Sequence, residues 1–268
     1  MNTESVNKAT SNISEVETSE MLKMINNEDK TVAEAVEKCI PEISKLVDTA
    51  YNCLKDGGRV FYCGAGTSGR LAVADAAELP PTYGLDPDRI VAIIAGGIGA
   101  MVNASEGCED SRERALKTFL EYGIKKGDMV IGISASGQAP FVLTIMEEAR
   151  KIGCPVGAIT NNEDTLLEKA ADITVAALTG AEAIKGSTRM KAGTAQKMVL
   201  NMFSTAVCVK LGFVYKNYMV NMVTSNRKLR KRAVTMVCDI SGISEAAAEQ
   251  ALENNDWSVY KVLKALEK

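Results

Sequence analysis

The sequence predicts an α/β fold, in which a parallel sheet carries helices on both faces, a helical arm precedes it and a small helical module follows. The first observation is a series of short apolar runs bounded by glycine or polar turns: Arg59–Cys63, Ile90–Ala95, Met129–Ile133, Val156–Ile159 and Ile173–Ala176. The second is that helical patterns lie between most of these runs, and strands alternating with helices at this spacing pair in parallel. The third is that from Lys191 onward helical patterns continue and no strand is expected.

The elements follow in order along the chain. Thr31-Val-Ala-Glu34 has the capping-box pattern, and Val32, Val36, Ile43, Leu46, Val47, Ala50 and Leu54 recur at helical spacing. A long helix is therefore expected to open near Thr31, kink at Pro41 and stop at Gly57-Gly58, where the first strand begins. Helices are expected around Arg112–Glu121 and Phe141–Ile152 between strands. Beyond the sheet they are expected over Lys191–Leu211, Ser225–Asp239, Ser244–Glu253 and Ser258–Leu266. This divides the chain into an arm and helix (1–56), a ligand-binding α/β domain (57–222) and a helical module (223–268). The basic run Arg227–Arg232 reads as an exposed helix face.

Composition narrows the function. A chain of 268 residues with 46% hydrophobic and 24% charged residues can bury a full core, and a net charge of -3 offers no general attraction to nucleic acid or anionic lipid. No apolar run reaches the roughly 18 residues needed to span a bilayer, and the N-terminus lacks a signal-peptide apolar region, so a cytoplasmic protein with a small-molecule partner is expected. The seven scattered cysteines read as reduced, buried small hydrophobes. The sequence has no histidine, which excludes a Ser-His-Asp triad and leaves acid–base chemistry to Asp, Glu, Lys, Tyr or Cys; no metal or cofactor is expected.

Several motifs can carry chemistry. Gly64-Ala-Gly-Thr-Ser-Gly-Arg70 follows the first strand and opens a helix, where Gly66, Thr67 and Ser68 suit phosphate oxygens. It lacks the endings of a Walker A or dinucleotide loop. Ser134-Ala-Ser-Gly-Gln138 holds the equivalent place after the strand Met129–Ile133, so Ser134, Ser136 and Gly137 can converge with the first turn at the carboxyl ends of the strands. In Gly186-Ser-Thr-Arg-Met-Lys191, Arg189 and Lys191 can neutralise a phosphate while Ser187 and Thr188 donate hydrogen bonds; a capped helix start with exposed bases fits the same residues. Asp75-Ala-Ala-Glu-Leu-Pro-Pro-Thr-Tyr-Gly84 places a double proline after Glu78, which is expected to end the helix and fix that side chain's pose. Glu106-Gly-Cys-Glu-Asp110 clusters carboxylates around a glycine. Pattern alone does not single out Glu78 or Glu109 from the other carboxylates.

Taken together and in order, GAGTSGR, DAAELPPTYG, IAGG, EGCED, ASG and GSTRMKAGTAQKMVLNM resemble the successive motifs of N-acetylmuramic acid 6-phosphate etherases, which are related to a regulatory protein of glucokinase. The resemblance extends back to Thr3-Glu4 and forward through Asn217–Asn226. It implies a sugar-isomerase (SIS) domain of flavodoxin-like, three-layer form and a homodimer with sites near the subunit interface. It also implies cleavage of the lactyl ether by elimination and hydration, giving N-acetylglucosamine 6-phosphate and D-lactate. The family's active-site glutamates fall on Glu78, as proton donor, and on Glu109, as its acid–base counterpart; a donor acting near neutral pH is expected to be buried. Where the etherases read A-A-S-G-R-T-P-Y, this chain reads Ser134-Ala-Ser-Gly-Gln-Ala-Pro-Phe141; Lys185 replaces a common threonine and Asn221 an expected aspartate.

Other readings make different demands. A phosphosugar isomerase shares abstraction of the C2 proton but needs no leaving group, and DAAELPPTYG with EGCED disfavours it. A non-catalytic sugar-phosphate sensor related to the glucokinase regulator would have a larger, duplicated architecture. A transcriptional regulator would need an N-terminal DNA-binding module, for which too little chain is expected before the first strand.

Overall fold

A computed structural model describes residues 2–103, 105, 107–224 and 226–266. Short 3-10 turns at Asn2–Glu4, Lys8–Thr10 and Ile13–Glu15 lead into helices α1 (Thr18–Glu37) and α2 (Ile40–Lys55). The sheet alternates with helices: β1 (Val60–Gly64), α3 (Gly66–Tyr83), β2 (Ile90–Ile94), α4 (Arg112–Glu121), β3 (Met129–Ile133), α5 (Pro140–Lys151), β4 (Val156–Thr160), α6 (Leu166–Ala170) and β5 (Ile173–Ala176). Then come α7 (Lys191–Lys210), β6 (Val214–Tyr215), β7 (Tyr218–Met219), α8 (Arg227–Ser241), α9 (Glu245–Glu253) and α10 (Val259–Leu266). The chain divides into two compact units, residues 1–76 with 88–204, and residues 77–87 with 205–268. The N-terminal arm thus belongs to the first unit rather than standing alone.

The first unit is a five-stranded parallel sheet in the order β2-β1-β3-β4-β5. The order reverses between β1 and β3, whose register sets Gly64 opposite Ile133, so the turns that follow these strands emerge side by side at the switch point where α/β sheets bind ligands. The residues of β1, β3 and β4 are buried throughout, which explains their continuous apolar sequence. Glycines set the spacing of the layers. A Cβ at Gly132 would stand 2.2 Å from Met146 Sδ of α5, and one at Gly157 would stand 2.4 Å from Leu46 Cδ1 of α2. These two helices therefore press on opposite sheet faces. Phe61, Val130, Phe141, Ile145 and Met146 fill the α5 side, and Tyr62 meets Phe203 of α7 edge-on at 5.9 Å. In the second unit Met222, Val234, Val237, Leu252 and Val262 form a separate small core.

Sheet, strands and most helices match the sequence reading; the differences have local causes. The N-terminal helix opens at Thr18, and Thr31 sits inside it, its hydroxyl donating back to the Glu28 carbonyl at 2.8 Å instead of capping a new helix. The run then breaks at Lys38 and Cys39 rather than kinking, and Pro41 sits in the first turn of α2, where its missing N–H costs nothing. The double proline does not end α3, which continues to Tyr83; Pro80 and Pro81 donate nothing to Ala76 and Ala77, and Ala77 is solvent-exposed, so water can serve its freed carbonyl. A two-residue hairpin, β6 with β7, appears where the sequence predicts no strand; pairs this short leave no periodic trace. Residues 227, 228 and 230–232 of the basic run are exposed as expected, and the Arg230 guanidinium lies 4.8 Å from the Trp257 ring centre. Among the described residues no helix is long and apolar enough to cross a membrane.

Candidate functional site

The turn after β1 is built on close approach. Gly66 has φ +52 at the start of α3, a backbone state that favours glycine, and a Cβ on Gly69 would lie 2.6 Å from Ile94 Cγ1 and 2.8 Å from the Gly64 carbonyl oxygen. Glycine at 69 thus lets α3 dock onto the ends of β1 and β2. Ser68 is buried, Thr67 half-buried and Gly66 exposed.

The turn after β3 is organised by its own hydroxyls. Ser134 Oγ accepts the Gly137 N–H at 3.1 Å, Ser136 Oγ accepts the Gln138 N–H at 3.3 Å, and the two hydroxyls stand 3.4 Å apart. Gly137 has φ +65 and packs against Thr165 so tightly that a Cβ would stand 2.4 Å from Thr165 Cβ. Asn162 donates to the Ala135 carbonyl at 2.8 Å and to Thr3 Oγ1 at 2.9 Å, which ties the N-terminal arm to the back of this turn. Gln138 is exposed and Ala139 buried, and α5 starts at Pro140 with no side-chain cap from Ala139. The Glu109 backbone carbonyl takes that place, accepting the Phe141 N–H at 2.8 Å.

The third segment closes against the first. A Cβ on Gly193 would lie 3.4 Å from Thr67 Cγ2 and 3.5 Å from the Thr188 carbonyl oxygen, so GAGTSGR and GSTRMKAG meet across this glycine. Ser187 and Thr188 are half-buried and Arg189 is exposed. Lys191 has a different place. Its side chain is 4% exposed and its ammonium is paired with the Glu28 carboxylate, which ties α1 to the start of α7. Sequence reasoning also passed over Glu182, which is fully buried and accepts the N–H groups of Lys191 and Ala192 at 2.8 and 2.9 Å. It caps α7 from nine residues upstream, and no local spacing announces such a cap. Burial pushes its carboxyl up, and the two backbone donors partly offset this.

Glu109 is exposed at the rim of a cavity of about 280 Å³ lined by Ala65, Gly66, Arg70, Ala95, Ser105 and Glu109 among others. Glu106 of the same carboxylate cluster lies outside the described residues. Glu78 is exposed, against the expectation of burial: Ala74, Ala77, Glu78 and Pro81 share one solvent-facing stripe of α3, while Leu79 turns inward. Asn221 donates from Nδ2 to the Tyr83 carbonyl at 2.8 Å, a bond that the aspartate expected there cannot make. Lys185 is exposed.

The N-terminal SIS domain of glucokinase regulatory protein matches residues 42–150, and the SIS domain matches residues 121–206. Solved structures share the fold. A protein of Escherichia coli superposes with a TM-score of 0.56 at 21% identity, over 74% of this chain and 95% of that one. A phosphoheptose isomerase from Neisseria gonorrhoeae gives 0.55 at 16% identity, over 71% and 98%. Among curated proteins, the N-acetylmuramic acid 6-phosphate etherase of Symbiobacterium thermophilum is 52% identical over 95% of this chain and 84% of its own length. The enzyme of the same name from Clostridium botulinum strain Loch Maree is 48% identical over 99% and 89%. With about half of its residues identical to these enzymes over nearly its whole length, the chain belongs to the N-acetylmuramic acid 6-phosphate etherase family.

Proposed function

We infer that this chain is a carbon–oxygen lyase that removes the lactyl ether from N-acetylmuramic acid 6-phosphate, in amino-sugar and cell-wall catabolism. The single observation that carries the reading is near-half identity to enzymes of that name over almost the whole chain. The geometry supports it. The hydroxyl-rich turns after β1 and β3 stand side by side at the switch point of the sheet, where Thr67, Ser68, Ser134, Ser136 and the Gly137 backbone suit a phosphate; Thr188 meets Thr67 across Gly193, and its neighbours Ser187 and Arg189 belong to the same segment. This reading leaves Lys191 out of the site, because its ammonium is paired with Glu28.

The chemistry follows from the bond to be broken. A base removes the C2 proton, the C2–C3 double bond forms as the C3–O bond breaks, and the ether oxygen leaves with a proton as D-lactate. Water then adds at C3 of the unsaturated aldehyde to give N-acetylglucosamine 6-phosphate. Two acid–base groups are required, and the resemblance assigns them to Glu78, as donor, and Glu109. Glu78 is exposed on the single chain, so desolvation of a proton donor there falls to the substrate and a second copy of the chain. A homodimer in the cytoplasm is part of the same reading; Ile98 and Val102, 78% and 87% exposed after β2, are apolar surface of the kind a second copy covers.

The test is release of D-lactate from N-acetylmuramic acid 6-phosphate by the purified protein and by its Glu78→Gln and Glu109→Gln variants. Lactate from the wild type and a loss of at least about 100-fold in each variant are expected. A folded wild type that binds the sugar phosphate and releases no lactate refutes the reading.

A further inference from the structure

Helix α3 offers two neighbouring stripes at the ligand-binding edge of the sheet. Thr67 and Leu71, four residues apart, turn toward Gly193 of α7. Gly66 and Arg70, also four apart, turn to the other side and line the cavity at whose rim Glu109 stands. One side is therefore rich in hydroxyls, and the other combines a guanidinium with a carboxylate. Arg70 donates from Nε to the Met101 carbonyl and from Nη2 to the Asn103 carbonyl, each at 3.3 Å. These bonds hold the guanidinium in place across the cavity and use two of its five N–H donors.

The substrate of the proposed reaction has two anionic groups of different shape. The C6 phosphate stays with the sugar, and the carboxylate leaves with the lactyl group attached at C3. A ring of hydroxyls and backbone N–H groups suits the phosphate, whereas a planar guanidinium matches a planar carboxylate with two parallel hydrogen bonds. The cavity, about 280 Å³, has room for the lactyl substituent. Bringing a substrate carboxylate beside Glu109 also sets two like charges together, which a neighbouring cation must offset.

We propose that Arg70 is the specificity-determining residue that pairs with the lactyl carboxylate, and that the cavity shared by Arg70 and Glu109 is the leaving-group pocket. The proposal rests on the etherase reading and states how the enzyme tells its substrate from sugar 6-phosphates that lack the lactyl acid. Pairing at the carboxylate also fixes the lactyl arm at C3 beside Glu109, the group left to take the neighbouring C2 proton when Glu78 is the donor.

The experiment compares N-acetylmuramic acid 6-phosphate with its lactamide analogue, in which the carboxylate is replaced by a neutral carboxamide. Wild-type enzyme is expected to release lactate with kcat/KM about 100-fold above that for lactamide release, the size of a charge-assisted pair. Arg70→Gln should lose about the same factor on the natural substrate and treat the two compounds alike within about threefold; Arg70→Lys should recover part of the preference. An Arg70→Gln enzyme that keeps the wild-type preference, or a wild type with no preference, overturns the proposal while leaving the etherase reading intact. If Arg70→Gln does not fold, the wild-type preference and its partial loss in Arg70→Lys decide the matter. No release of either acid from the wild type refutes the underlying reading instead.

Discussion

Asp75 lies one helical turn before Glu78 on α3, and its ionisation should be written into the stability of the fold. Its carboxylate accepts the Tyr62 hydroxyl at 3.1 Å and the Ser204 hydroxyl at 3.0 Å. Burial pushes the carboxyl up to about 6 from the ordinary 3.8, against the opposing pull of Ser204, Tyr62 and the Lys197 charge. Because the folded state holds this proton more tightly than the unfolded chain, the contribution is largest at low pH and is lost as pH rises from about 4 through about 6. The full effect is about 3 kcal/mol, of which about 2 kcal/mol falls between pH 4.5 and 7.5. Asp75→Asn keeps the shape and removes the titration. Urea unfolding of both proteins across that range should show the variant gaining about 2 kcal/mol relative to wild type, while any hydrogen-bond mismatch of the amide adds an offset that does not vary with pH. A difference curve that is flat, or that falls with pH, refutes the assignment of a buried, proton-holding Asp75.

Other perturbations probe the supports of the site. Lys191→Met should cost about 3–5 kcal/mol by stranding Glu28, and the double change Glu28→Gln with Lys191→Met should restore most of it; a single variant of normal stability but raised KM would mean that Lys191 serves the ligand after all. Gly69→Ala forces a methyl group against Ile94 and the Gly64 carbonyl, and calorimetry should find a loss of about 2–3 kcal/mol together with reduced turnover. Unchanged stability there would show that α3 does not sit this close to the strand ends.

Much of this molecule is legible in the amino-acid order because its signals are local. Continuous apolar runs between glycines mark β1, β3 and β4 as strands buried on both faces, and glycine beside hydroxyls marks the two turns that follow β1 and β3. The helix starts were less legible, since Thr31 satisfies the same pattern as a cap while sitting inside α1. The exposure of Glu78 and the partners of the buried charges were not legible. Whether Glu78 faces solvent depends on which stripe of α3 packs inward, and Lys191 is paired with a carboxylate 163 residues away. Glu182 caps a helix across a loop, and Arg70 becomes a candidate for substrate recognition only because Gly66, Ser105 and Glu109 surround the same space. The sequence by itself determined the strands, the glycine- and hydroxyl-rich turns and the family. The tertiary structure decided which charges are free to meet a substrate, because the partner that neutralises or buries a side chain is chosen by packing between segments far apart in the chain.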